Sequence, residues 1–136
     1  MNITKPKPCI KKSNIVPILC DGGSMRPVLR ANQNILIDQD TAIRLGDCVC
    51  YKSTEKNYIH RIISIKNGRY LMASDSNSIL SHWIDLDNIV GKVANKNPLL
   101  KGFPGLIYHF IIRLFFYTGR LIKKSIIKYE GNRKYF

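Results

Sequence analysis

The sequence predicts a mostly β fold: a compact antiparallel β-domain, closed or sandwiched, followed by a C-terminal amphipathic helix. Three observations lead there. Short β-branched runs recur at intervals of roughly ten residues between positions 15 and 96, separated by Gly, Asp, Asn and Pro. One Asn-Gly pair, Asn67-Gly68, stands between two such runs and marks a tight hairpin. Beyond Pro98 the spacing of apolar residues widens to the helical period. With 136 residues, 45% of them hydrophobic and 23% charged, the chain can bury one core, which excludes a wholly disordered protein.

Taken in order, residues 1–14 read as a basic, Pro-containing tail. Ile15–Cys20 is a short apolar strand, ended by Asp21-Gly22-Gly23, where glycines permit a sharp turn. Ile35-Leu36-Ile37 reads as a buried strand. Leu45-Gly46-Asp47 turns the chain into a strand over Cys48–Lys52. Tyr58–Ile65 is rich in isoleucine and alternates as a strand does, and Asn67-Gly68 folds it back onto Arg69–Ala73. Asp85 and Asp87 read as a solvated edge or turn, and Ile89–Ala94 is the last strand, so the β-domain spans residues 15–97.

Residues 98–136 form a basic helical tail. At about 100° per residue, Arg113, Arg120 and Lys124 fall roughly 40°, 20° and 60° from His109, so these polar residues share one narrow stripe. The rest of Phe103–Ile127 is mainly apolar. Spanning a bilayer would bury two arginines, which is expensive. A helix lying in the interface keeps the stripe in water and inserts its apolar side, and its cations attract anionic lipid. The expectation is a membrane surface bound through residues 103–127; packing on the β-domain or on a second copy is the alternative.

The charge distribution fits this division. Lys and Arg outnumber Asp and Glu by 22 to 9, a net +13. The excess sits in the flanks: residues 1–20 hold four Lys and no acid, and residues 101–136 hold eight basic residues and one Glu, whereas 21–100 hold ten basic and eight acidic. A nucleic-acid binder more often charges the domain itself and interleaves aromatics with the basic residues, so no nucleic acid is expected. Residues 1–20 lack the continuous apolar stretch of a signal peptide, which points to the cytosolic face of a membrane. Cys9, Cys20, Cys48 and Cys50 form no C-x-x-C and no zinc-spaced pair with His, so they read as reduced packing residues. Asp38, Asp40 and Asp47 lack the glycine turn and terminal Glu of a calcium loop. No metal and no cofactor is expected.

The stretch with chemical content is Gly23-Ser24-Met25-Arg26-Pro27. Ser24 follows two glycines where the chain leaves a strand, so its hydroxyl can be exposed and closely approached. A serine hydroxyl attacks only when a neighbouring base takes its proton. Of the three histidines, His60 lies inside the Tyr58–Ile65 strand, which would hold it rigidly. A solvent-facing strand histidine and an ordinary loop serine are the plain alternatives.

The order of the pieces adds what each lacks alone. Gly23-Ser24-Met25-Arg26-Pro27 is followed by Gly46-Asp47-Cys48-Val49, Tyr58-Ile59-His60-Arg61, Asp75-Ser76-Asn77 and Gly91-Lys92-Val93. Over about residues 20–94 this resembles the signal peptidase I family of serine peptidases, which shares its β-fold with LexA-type repressor proteases. The resemblance implies Ser24 as nucleophile and His60 as general base, in the Ser–His version of the family. It implies that Asp75 orients or charge-stabilises His60, with Asp85 as a second candidate acid. Met25 and Pro27 would shape the substrate cleft. The backbone N–H of Ser24 would be an oxyanion donor, worth roughly 2.7–4 kcal/mol of barrier. The implied activity is limited proteolysis of a peptide or protein precursor, bound as an extended strand. The chain departs from the family at Ser74, where the Asp-x-Asn loop usually carries Gly, and at Gly22, where some members carry an oxyanion-binding hydroxyl. These departures favour the alternative, a catalytically inactive peptide-binding module of the same fold.

Overall fold

The computed structural model describes residues 14–19, 25–26, 28–30, 34–76 and 81–133, with side chains to residue 128. It is mostly antiparallel β with one C-terminal helix, as the sequence predicts. The strands are β1 (Ile15–Leu19), β2 (Asn34–Asp38), β3 (Cys48–Ser53), β4 (Lys56–Lys66), β5 (Arg69–Ala73), β6 (Ser81–Asp85) and β7 (Ile89–Val93), and α1 runs over Gly102–Arg133. They form one curled sheet in the order β1-β2-β7-β3-β4-β5-β6.

Local chemistry explains most of the connections. Asn67 and Gly68 both take positive φ, 50° and 71°, the two-residue turn whose twist matches that of the strands, and Lys66 then pairs with Arg69. Thr54, at φ 55°, turns β3 into β4 so that Ser53 faces Lys56. β6 has no strand signal in the sequence, where Asp85 reads as a solvated edge or turn. Its side chains are mostly exposed, so it lacks a hydrophobic alternation, and pairing with β5 is what makes it a strand. β2 differs from the sequence reading: Ile35 and Ile37 are buried, but Leu36 points outward and is half-exposed.

Alternation along the central strands separates two apolar layers. Cys48, Cys50 and Ile59 join Met25, Leu29, Ile35, Ile37, Val93 and Leu100 in one. Val49, Tyr51, Ile62 and Met72 form the other, with Tyr58, Tyr70 and Ile84 against them. Cys48 and Cys50 are free thiols, and burial pushes the Cys48 thiol up, so it stays protonated.

The start of α1 is docked by close backbone approach. Gly46 has φ +88°, and a Cβ there would lie 1.8 Å from the Gly102 carbonyl oxygen; at Gly105 a Cβ would lie 2.3 Å from Arg61 Nη1. Asp47, almost fully buried, accepts from Gly102 N–H at 2.7 Å and from Arg44 N–H at 2.8 Å. It thereby satisfies a free donor at the helix start from the distant turn before β3, with its charge at the favourable end of the dipole. Beyond His109 no described side chain of the helix is fully buried.

Candidate active site

β4 carries the informative residues on alternate sides. His60 and Ile62 face the Tyr51 layer, and Ile59 and Arg61 face the other. β4 is flanked by β3 and β5, so its backbone is held by ladder hydrogen bonds on both sides.

On the first side, Tyr51 Oη and His60 Nδ1 lie 2.9 Å apart. The Tyr51 ring also packs on Tyr58 and on His82 of β6, and the His60 and His82 rings meet edge to face at 5.6 Å between centroids. Burial, then repulsion from His82, lowers the His60 pKa to about 4, and nearby Asp75 offsets only part of this. Burial, with Tyr58 and Cys50 beside it, raises Tyr51 to about 12. Phenol and imidazole are therefore both neutral at ordinary pH. The hydrogen bond admits two arrangements. If Tyr51 O–H donates to Nδ1, the imidazole proton sits on Nε2. If Nδ1–H donates to Tyr51 Oη, Nε2 presents a lone pair. Only the second lets Nε2 take a proton from a hydroxyl nucleophile.

On the other side lies a buried ionic triad. Arg61 and Asp75 are both fully buried. Arg61 donates to Asp75 through Nε at 3.0 Å and Nη2 at 2.6 Å, and through Nη1 to the Gly46 carbonyl at 2.8 Å. His109, on α1, places Nδ1 2.8 Å from Asp75 Oδ1. Burial opposes the charge on Asp75, but the hydrogen bonds from His109 and Arg61 prevail and hold its carboxyl below the ordinary range. The triad ties β4, the loop after β5 and the first turns of α1 into one unit.

The structure thus separates residues that the resemblance brings together. Asp75 does not hydrogen-bond His60. Its two oxygens are taken by Arg61 and His109, because Arg61, rather than His60, is the β4 side chain on its side of the sheet. Asp85 pairs with Arg69 at the exposed edge, Nε to Oδ1 at 2.8 Å, and not with His60. Met25 is 3% exposed and buried in the layer of Ile59, on the opposite side of the strand from His60. Ser24 and Pro27 lie outside the described residues.

His109 overturns a second expectation. The sequence reading leaves the stripe of His109, Arg113 and Arg120 in water. His109 is instead 3% exposed and turned onto Asp75, and Arg113 and Arg120 are half-buried. Both arginines line a groove of about 500 Å³ with Ser76, Phe110, Leu114 and Tyr117. Sequence reasoning missed Tyr51, whose only signal is parity: it stands opposite Tyr58 in the β3–β4 ladder, two residues from His60 and so on its face. It missed the Arg61–Asp75–His109 triad for want of any local signal, since the three residues come from distant segments. Among the described residues no cluster of three or more His, Cys, Asp or Glu could hold a metal. In comparison with known proteins, no family model and no curated protein matches the chain.

Proposed function

We propose that the protein is a serine endopeptidase of the signal peptidase-like type, cleaving a peptide or protein precursor with Ser24 as nucleophile and His60 as base. The observation that carries this reading is the setting of His60. It sits on a strand paired on both sides, is kept neutral by burial, and has Nδ1 fixed at 2.9 Å by a buried hydroxyl. Where Nδ1–H donates to Tyr51 Oη, Nε2 keeps its lone pair, and a neutral imidazole so held is what a hydroxyl nucleophile requires. In this reading Tyr51 takes the orienting role at His60 Nδ1. Asp75 acts at a distance, its charge favouring the imidazolium that forms when the serine proton is taken.

A second reading, an inactive peptide-binding module, has its own support. A histidine with a pKa of about 4 is a weak base at neutral pH, and the acid expected beside it is engaged elsewhere. The two readings separate when wild type, Ser24→Ala and His60→Ala are incubated with precursor peptides bearing small residues before the scissile bond, with products read by mass spectrometry. Cleavage by wild type alone establishes the dyad. Binding without cleavage by all three folded proteins rejects turnover and leaves the binding module.

A further inference from the structure

The direction in which α1 points its apolar side is settled by what its polar stripe touches. His109 is buried against Asp75, so the helix faces the β-domain at that azimuth. Measured from His109 at about 100° per residue, Phe110, Tyr117, Phe103, Leu121, Leu114, Ile107, Ile111, Ile122, Phe115 and Ile126 occupy the arc from roughly 80° to 260°. These side chains are between 45% and 70% exposed. The arc runs from Phe103 to Ile126, about 36 Å at 1.5 Å per residue. Thr118 and Ser125 interrupt the arc, but a mainly apolar face of this length is unusual on a surface turned to water.

Charge identifies what covers it. Lys123 and Lys124 border the arc on its two sides, at roughly 320° and 60°, and Lys128 lies within its edge at roughly 100°. Arg113 and Arg120 lie on the domain side of the helix, so the cations near the arc are these three exposed lysines, and residues 103–128 carry no acid. A second copy of this chain would bring the same three lysines against these, whereas an anionic surface neutralises them. No helix among the described residues is long and apolar enough to cross a membrane, so the face suits a surface on which the helix lies.

We propose that the outward face of α1 docks on an anionic lipid bilayer, with the helix in the plane of the interface and the β-domain on its water side. The orientation is the reverse of a helix whose polar stripe is left in solvent: here His109, Arg113 and Arg120 form the seam to the domain, Lys124 one turn further on is exposed, and the Asp47 cap and the Arg61–Asp75–His109 triad fix the helix start to the domain. The domain would be carried at a fixed height and rotation above the lipid, rather than on a loose tether. This does not depend on the peptidase reading, and Ser24→Ala should bind lipid as wild type does.

The test is sedimentation of the full chain with vesicles of phosphatidylcholine alone or mixed with phosphatidylglycerol, alongside analytical ultracentrifugation without lipid. Ile111→Asp with Leu114→Asp puts two charges at the centre of the arc, on side chains already exposed, and circular dichroism confirms the fold. Partitioning of this variant should fall by at least about tenfold, since each side chain loses its apolar burial. Replacing Lys123, Lys124 and Lys128 with Gln should remove most of the preference for anionic vesicles, about fivefold for each lysine that reaches the headgroups. The proposal is overturned if wild type stays in the supernatant with both vesicles, or if the double variant binds equally well. It is also overturned if wild type self-associates without lipid and the double variant is monomeric, since the face then joins two copies.

Discussion

Replacing Asp75 with Ala should destabilise the whole fold rather than merely silence a site. Asp75 and Arg61 are both 0% exposed, and the variant leaves the Arg61 guanidinium in place with its anion gone. Two charge-assisted hydrogen bonds are lost, at 3.0 and 2.6 Å, and only the bond from Nη1 to the Gly46 carbonyl remains. Hydrogen bonds to charged groups contribute about 1.5–3 kcal/mol each. Removing one partner of a buried ion pair costs about 3–5 kcal/mol, because the other charge stays desolvated. His109 loses its partner in the same step. We therefore expect a loss of about 3–5 kcal/mol, a large part of the stability of a domain this size. In urea, with a slope of about 1–3 kcal/mol per molar, the midpoint falls by one molar or more. The assay is equilibrium unfolding followed by circular dichroism. A companion variant, Asp75→Leu with Arg61→Met, removes both charges and should recover most of the loss, because the penalty lies in the orphaned cation. A loss below about 1 kcal/mol for Asp75→Ala, or a companion no more stable than the single variant, would refute the assignment of Asp75 to the triad.

Acid should weaken the fold in a window set by His60. Its folded pKa of about 4 lies below the ordinary 6.5, so the unfolded state binds more protons between these values. Stability then rises with pH across that interval and is lost as pH falls, by up to about 3 kcal/mol, less for the solvent that partly reaches the ring. Unfolding curves at several pH values should show this slope, and His60→Gln should flatten it; an unchanged slope rejects the burial argument. Tyr51→Phe should move the nitrogen-15 shift of His60 Nδ1, because its only described hydrogen-bond partner is gone, and should cost about 1 kcal/mol of stability. Identical His60 shifts in the two proteins would show that the hydrogen bond does not form in solution. Gly46→Ala should loosen the start of α1, since its Cβ would meet the Gly102 carbonyl oxygen at 1.8 Å from a backbone at φ +88°. Limited proteolysis near residue 101 should accelerate, and unchanged protection would mean that the turn before β3 and the helix do not approach as closely as described.

Much of the fold is local in origin, and so it is legible in the chain. Asn67-Gly68 can satisfy two successive positive φ values where most residues cannot, so the hairpin and both of its strands follow from the sequence. The parity of Cys48 and Cys50 against Val49 and Tyr51 assigns them to opposite layers before any neighbour is known. The helical period beyond Pro98 likewise gives a long helix with a narrow polar stripe. Tertiary structure decided what those features meet. The strand β6 exists because β5 offers it an edge, since its own side chains carry no alternation. Asp75 could face either His60 or Arg61 as far as sequence order goes, and the side of the sheet on which its loop lies gives it to Arg61. The His109 stripe reads as a solvated face because periodicity reports which residues share a side, not what stands opposite. Bringing Asp75 within 2.8 Å of His109 required β5 and α1, which are far apart in the chain, to close on each other. Periodicity is a property of neighbours along the chain; partnership between distant side chains is set by how the sheet curls and where the helix lands.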